Sequence, residues 1–186
     1  MFYKNQRLGL VIDGQAINTA AKLNNVRIDW KKLQVEFAKR GAVVRMSYVT
    51  TVREDGSGHI PNKPLIDFLD LNGFEVTAIE QRLSSHDGQD RLKGSATPSF
   101  IMKAVEMSDI VEHMVLFTGD GDLVPLVEFI KRKGVRVSVL STLEEGGAIA
   151  EKLRRAADNF IDLRDLKDTI AMEDSRAHIA RNYVSA

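Results

Sequence analysis

The sequence predicts an α/β fold: a central, mostly parallel sheet of five strands, covered by helices on both faces to give three layers. Three observations predict it. Short, β-branched apolar runs alternate with stretches whose apolar residues recur at helical spacing, the pattern of a parallel sheet with crossover helices. The runs are continuously apolar, as strands buried on both faces are. The chain is 186 residues long, 44% hydrophobic and 28% charged, which suits one globular domain with a substantial core. The domain is expected over 1–166, with a polar, weakly patterned tail or loose helix over 167–186.

Residues 8–12 (Leu-Gly-Leu-Val-Ile) read as the first strand, ended by Asp13-Gly14-Gln15. A short helix follows through Ile17, Ala20, Ala21 and Leu23, stopped by Asn24-Asn25. Asp29 caps the next helix, in which Trp30, Leu33, Gln34 and Phe37 share a face. After Gly41, residues 42–49 form the second strand, and 54–58 a loop. Residues 61–71 are helical, with Leu65, Phe68 and Leu69 inward and Gly73 at the C-cap. Residues 74–79 are the third strand. The polar stretch 81–96 reads as a long connection, of a length often found at functional loops. Thr97 and Pro98 open a helix, as cap and first helical residue. Residues 113–117 form the fourth strand, and a helix follows over 122–133. Residues 135–140 are the fifth strand, 147–157 the last helix, and 160–163 add a short edge strand.

Composition narrows the function classes. Lys+Arg and Asp+Glu both number 26, so a nucleic-acid surface has to be a local patch. Cysteine is absent, which removes disulfides, thiolate metal sites and cysteine nucleophiles and fits a reducing compartment. No run approaches the ~18 apolar residues of a membrane span, and the early apolar run is too short for a signal peptide. A soluble cytoplasmic protein without a membrane partner is the expectation. Self-association into a homo-oligomer is compatible with it.

The chemistry-bearing stretch is Phe117-Thr118-Gly119-Asp120-Gly121-Asp122, at a strand-to-helix junction. The first strand ends likewise at Asp13, so three carboxylates lie at the C-terminal ends of two strands, the edge where open parallel sheets bind ligands. Converging carboxylates suit Mg²⁺ or Mn²⁺, which activate water and polarise phosphoryl oxygens. Each Asp also fits the blander role of helix N-cap, and both readings stay open here. An EF-hand is excluded, because Val124, Pro125 and Lys131 fall where that loop needs a ligand, glycine and glutamate. Asn18, five residues after Asp13, could hold a water or phosphate, or be solvated. Ser138 and Ser141-Thr142 could contact phosphate or form a turn. Arg91 and Lys93 are the basic residues placed to hold an RNA phosphate. The four histidines are scattered and carry no assigned role.

Residues 10–15 (Leu-Val-Ile-Asp-Gly-Gln), 118–127 (Thr-Gly-Asp-Gly-Asp-Leu-Val-Pro-Leu-Val) and 153–163 (Leu-Arg-Arg-Ala-Ala-Asp-Asn-Phe-Ile-Asp-Leu) resemble the NYN domain, closest to its LabA-like branch in the PIN-domain-like nuclease superfamily. The resemblance implies a PIN-like α/β/α fold and a Mg²⁺- or Mn²⁺-dependent endoribonuclease site that hydrolyses RNA. Asp13, Asp120 and Asp122 would be its catalytic, metal-binding carboxylates. Lys93-Gly94 follows the family pattern, but the next acidic positions hold Thr97 and Lys103, and the family's polar position near Asn18 falls at Ala16. One wall of the acidic cluster is then lost, or is supplied by another group such as Asp87 or Asp90. Lys103 either turns its ammonium toward Asp13 and Asp120, weakening metal binding, or faces solvent. The alternative to an enzyme is a catalytically degenerate regulatory module that binds RNA or protein; a phosphatase-like or nucleotidyl enzyme is a third reading.

Overall fold

The computed structural model describes residues 2–55, 57–86, 89–146 and 149–173. The chain order is β1 (Arg7–Asp13), α1 (Gly14–Leu23), α2 (Trp30–Ala38), β2 (Ala42–Val52), α3 (Lys63–Leu71), β3 (Glu75–Glu80), β4 (Arg82–His86), β5 (Gln89–Lys93), α4 (Thr97–Met107) and β6 (His113–Phe117). A 3-10 turn (Gly121–Leu123), α5 (Val124–Arg132), β7 (Arg136–Ser141), α6 (Glu151–Ala156) and β8 (Asn159–Asp162) follow. A second 3-10 turn (Leu163–Leu166) and α7 (Lys167–Ile170) complete it.

The main sheet is parallel and has six strands, in the order β3-β2-β1-β6-β7-β8. It carries one strand more than the five expected, because the four-residue edge strand β8 pairs in full register with β7, from Ser138↔Asn159 to Ser141↔Asp162. The chain winds outward from β1 to β3 and then returns to the other side of β1. The switch in winding direction therefore falls between β1 and β6.

The continuous apolar runs are explained by burial on both faces. Leu8, Leu10 and Ile12 of β1, with Val115 and Phe117 of β6, join α1, α2 and Ile170 in one core. Val11, Met114 and Leu116 turn the other way and pack with α4, α5 and α6 in the second. The first core holds an aromatic cluster in which Trp30 meets Tyr48 and Phe74 edge-on at 5.4 and 5.8 Å, an arrangement favoured by the ring quadrupoles. Gly9 supplies a close approach in the second, since a Cβ there would collide with Met107.

Several expectations are corrected. The stretch 81–96 is not an open connection: β4 and β5 form an antiparallel hairpin, with Leu83 opposite Leu92. Thr97 is the first residue of α4 rather than its cap, and Ala96 at the cap position makes no side-chain bond. The backbone N–H of Thr97 donates instead to Ser95 Oγ at 3.2 Å. Phe68 is exposed under the ammonium of Lys31, because Leu69 alone of α3 is fully buried. The helix expected over 147–157 begins at Glu151 and ends at Ala156, and residues 147–148 lie outside the described residues. Within the segment expected as a tail or loose helix, residues 167–170 are helical, Ile170 is buried and Ala171 bridges to Ile28.

Candidate functional site

The candidate site lies at the switch point between β1 and β6, where the two strand ends diverge and leave a crevice. Asp13 ends β1, and its Oδ1 accepts from the backbone N–H groups of Gln15 and Ala16 at 2.9 and 3.2 Å, capping α1. Asp120 repeats the arrangement after β6: its Oδ1 accepts from Asp122 N at 2.9 Å and caps the 3-10 turn. Thr118 Oγ1 accepts from Asp120 N at 3.2 Å and fixes the loop.

The glycine after each Asp has a steric cause. At Gly14 a Cβ would come within 2.6 Å of the Tyr48 hydroxyl, and at Gly121 within 2.8 Å of Ala150. Both Asp-Gly pairs are thus a cap followed by a residue with no room for a side chain.

Asp13, Gln15, Ala16, Thr19, Thr118, Gly119, Asp120 and Ser141 line the cleft. Capping and ligation do not compete here. A carboxylate offers about four lone-pair sites, and among the described residues the hydrogen bonds of Asp13 and Asp120 fall on Oδ1 alone. Burial pushes the Asp13 carboxyl above its ordinary value, against the lowering by the Ala16 and Gln15 N–H groups, and the charge of Asp120 adds to the rise. The two acids therefore feel each other, and a cation between them would relieve both the desolvation and the repulsion. The cleft side chains offer only oxygen acceptors and one amide, the hard donor set of Mg²⁺ or Mn²⁺. No group of three or more His, Cys, Asp or Glu placed to hold a metal occurs among the described residues. Mg²⁺ is commonly held by one or two carboxylates with waters and substrate phosphates, so two acids fit that ion as a partial shell.

The other expected site residues are placed differently. Asp122 does not line the cleft; it is exposed and paired with Lys152 at 3.1 Å. Asn18 is exposed on the neighbouring face of α1, lines a separate cavity with Trp30 and Leu65, and bonds the Tyr48 hydroxyl. Lys93 is exposed at the end of β5, and Arg91 lies on the same strand with its side chain outside what the structure describes. Asp87 and the side chain of Asp90 also lie outside the described residues. Lys103 takes neither expected course: it donates to Glu75 Oε1 at 2.5 Å, and Glu75 also accepts from Ser47 Oγ at 2.9 Å. That Lys103 hydrogen bond holds the Glu75 carboxyl below its ordinary value. Thr97 is exposed and does not line the cleft.

Sequence reasoning missed Gln15 and Thr19, which follow Asp13 along one face of α1. Of Ser141 and Thr142, expected to contact phosphate or form a turn, Ser141 lines the cleft, while Thr142 is buried and accepts from Asn24 Nδ2 at 2.8 Å. Ser138 is buried beside His113. Among the described residues, no helix is long and apolar enough to cross a membrane.

Fold and site define a parallel α/β protein with an acidic crevice at its switch point. The chain belongs to the NYN domain family, whose family model matches residues 7–166. It is similar to the "Low amplitude and bright protein LabA" of Synechococcus elongatus, 28% identical over 176 residues that span 91% of this chain and 90% of that protein. It also resembles a crystal structure of a protein of unknown function from Vibrio parahaemolyticus, with a TM-score of 0.67 and 20% identity over 92% of this chain and 100% of that one. That likeness shows the shared fold. Family membership suggests a nuclease-type function and an association with RNA.

Proposed function

We propose that this protein is a metal-dependent endoribonuclease that hydrolyses RNA phosphodiesters at the cleft between β1 and β6. The observation that carries the reading is the convergence of Asp13 and Asp120 at the switch point, each with one carboxylate oxygen free of hydrogen bonds among the described residues. Asp13 and Asp120 would hold one Mg²⁺ or Mn²⁺, with a substrate phosphate and water completing its shell. Such an ion, when bound, polarises the phosphoryl oxygen and lowers the pKa of a bound water. The chain's own part is positioning. The N-cap bonds fix both carboxylates, and Thr118 and Ser141 present hydroxyls on the β6 and β7 side. Gln15 donates its amide to Thr51 Oγ1 at 2.9 Å, holding that wall of the cleft to β2. Asp122 becomes a third ligand only on leaving Lys152. Arg91 and Lys93 on the hairpin, and Asn18 beside the cleft, are the proposed RNA contacts.

The test is cleavage of labelled single-stranded and structured RNA in Mn²⁺, Mg²⁺ or EDTA, beside Asp120→Asn. Cleavage is expected with either metal and not in EDTA. In the variant it should fall more than ~100-fold, beyond the 10–100-fold typical of losing an outer-shell partner. Cleavage that persists in EDTA or in Asp120→Asn refutes the site. A second reading, an RNA-binding module that does not cut, is favoured by the lack of a three-acid group among the described residues. RNA binding without cleavage in any metal would select it.

A further inference from the structure

Asp122, the second acid of the central motif and the third of the expected site, has a cation placed beside it by the fold. Lys152 Nζ donates to Asp122 Oδ1 at 3.1 Å. The position of Lys152 is set by more than this pair. The segment before α6 is strapped across the sheet edge: Ile149 N donates to Thr142 O at 3.1 Å, and Ala150 N to Gly119 O at 3.0 Å. The Lys152 stem then lies against Gly121, so closely that a Cβ there would fall within 2.2 Å of Lys152 Cε. The pair itself is weakly held, because the side chains are 63% and 89% exposed and solvent screens them. Arg164, the cation just past β8, contrasts with it. It forks onto Asp162 at 2.9 and 2.7 Å and also reaches Glu144 at 3.2 Å, so its charge is committed.

A cation anchored by backbone and packing, but loosely paired, can change partner without moving far. The cleft beside it is anionic, and an RNA strand entering it brings further negative charge that a rim cation must offset. We propose that Lys152 is exchanged between Asp122 and an RNA phosphate: in the free protein it holds the third carboxylate out of the cleft, and the arriving phosphate takes the ammonium and releases Asp122 toward the metal. This rests on the ribonuclease reading above. It makes Lys152 a positioning residue that couples substrate arrival to completion of the acidic site, and such coupling is reciprocal between RNA and metal.

The test uses the full chain and two equilibrium measurements: Mn²⁺ affinity by electron paramagnetic resonance without RNA, and single-stranded RNA binding by fluorescence anisotropy in EDTA. Lys152→Ala is expected to raise Mn²⁺ affinity about two- to five-fold, the scale of an exposed pair, and the gain should vanish when Asp122 is also changed to Asn. In EDTA, Lys152→Ala should weaken RNA binding and lower the salt slope by about one. Lys152→Arg should keep RNA binding, and Asp122→Asn alone should strengthen it by freeing the ammonium. An equal Mn²⁺ gain in the Asp122→Asn background would reduce the effect to general electrostatics and overturn the exchange, as would unchanged RNA binding in Lys152→Ala. If the wild type binds Mn²⁺ and Lys152→Ala does not alter it, the exchange alone fails. If no variant binds Mn²⁺, the metal reading fails and the exchange with it.

Discussion

Asp13 has two roles that substitution can separate. Its Oδ1 caps α1, and an amide oxygen can do the same, since Asn and Asp are near-equal caps. Its charge is the costly part, because burial raises its pKa and the charge of Asp120 adds to that. Asp13→Asn should therefore leave stability within ~0.5 kcal/mol of wild type or raise it, while Asp13→Ala should cost ~1 kcal/mol through the lost cap. Both should abolish Mn²⁺ binding. Urea unfolding and Mn²⁺ titration check the pair of outcomes, and tight Mn²⁺ binding by Asp13→Asn would make Asp13 a cap alone. His113 gives the clearest pH dependence. It is buried against Phe2, its Nε2 shares a 2.8 Å hydrogen bond with Ser138 Oγ, and burial, aided by the Arg136 charge, lowers its pKa to about 4 from 6.5. The unfolded chain then binds the extra proton between those values. This contribution is complete above pH 6.5 and is lost as pH falls toward 4, up to about 3 kcal/mol at 1.36 kcal/mol per unit. His113→Gln should lack that part of the acid destabilisation when urea unfolding is compared at pH 7 and pH 4; an equal loss in both proteins would show that His113 titrates normally.

At the scale of elements, legibility follows burial. β1, β6 and β7 are readable because both of their faces are covered, so their central residues are largely apolar: Leu10 to Ile12, Met114 to Phe117, and Val137, Val139 and Leu140. The β4–β5 hairpin was missed for the opposite reason. Its residues are mostly polar, and Leu83 and Leu92 are the only large apolar ones in the two strands. One signal was available: the register leaves Asp87-Gly88 between His86 and Gln89, and Asp-Gly is a strong two-residue hairpin signal. The strand β8 (Asn159–Asp162) falls one residue before the short edge strand expected at 160–163, although four residues are near the lower limit of what a pattern can declare. The cleft was half legible. Asp13 and Asp120 each follow an apolar strand, and strand ends of a parallel sheet share one edge. That Asp122 faces outward onto Lys152, thirty positions away in sequence, depends on tertiary packing. Lys103 misled because helix periodicity does not say which strand a side chain reaches; the order of the sheet sets Glu75 of β3 beside it.

Across the whole molecule, the order β3-β2-β1-β6-β7-β8 fixes the site, because only the β1–β6 boundary separates two opposite windings. The helices that flank it must also be closed off at their far ends, and α7 does this for α2. Ile170 is fully buried in the core shared by Trp30, Leu33 and Ile12. Asp29 N donates to Ile170 O at 2.7 Å, Met172 N to Arg27 O at 2.8 Å, and Lys32 Nζ to Ala171 O at 3.2 Å. Residues 167–172 are thus tied to the α1–α2 connection by backbone bonds as well as by one apolar side chain. A single isoleucine in a polar run gives no periodicity, which is why its burial was not readable. Ile170→Ala should lower stability by ~2–5 kcal/mol, the range for opening a cavity at a buried aliphatic position. Met172→Ala, at a residue 45% exposed, should cost well under half of that. Urea unfolding of both variants at pH 7 is the measurement. A loss below ~1 kcal/mol in Ile170→Ala would mean that residues 167–172 are an appendage and that the cooperative unit ends at Leu166; the larger loss would extend that unit through α7 and make the α1 wall of the cleft depend on it.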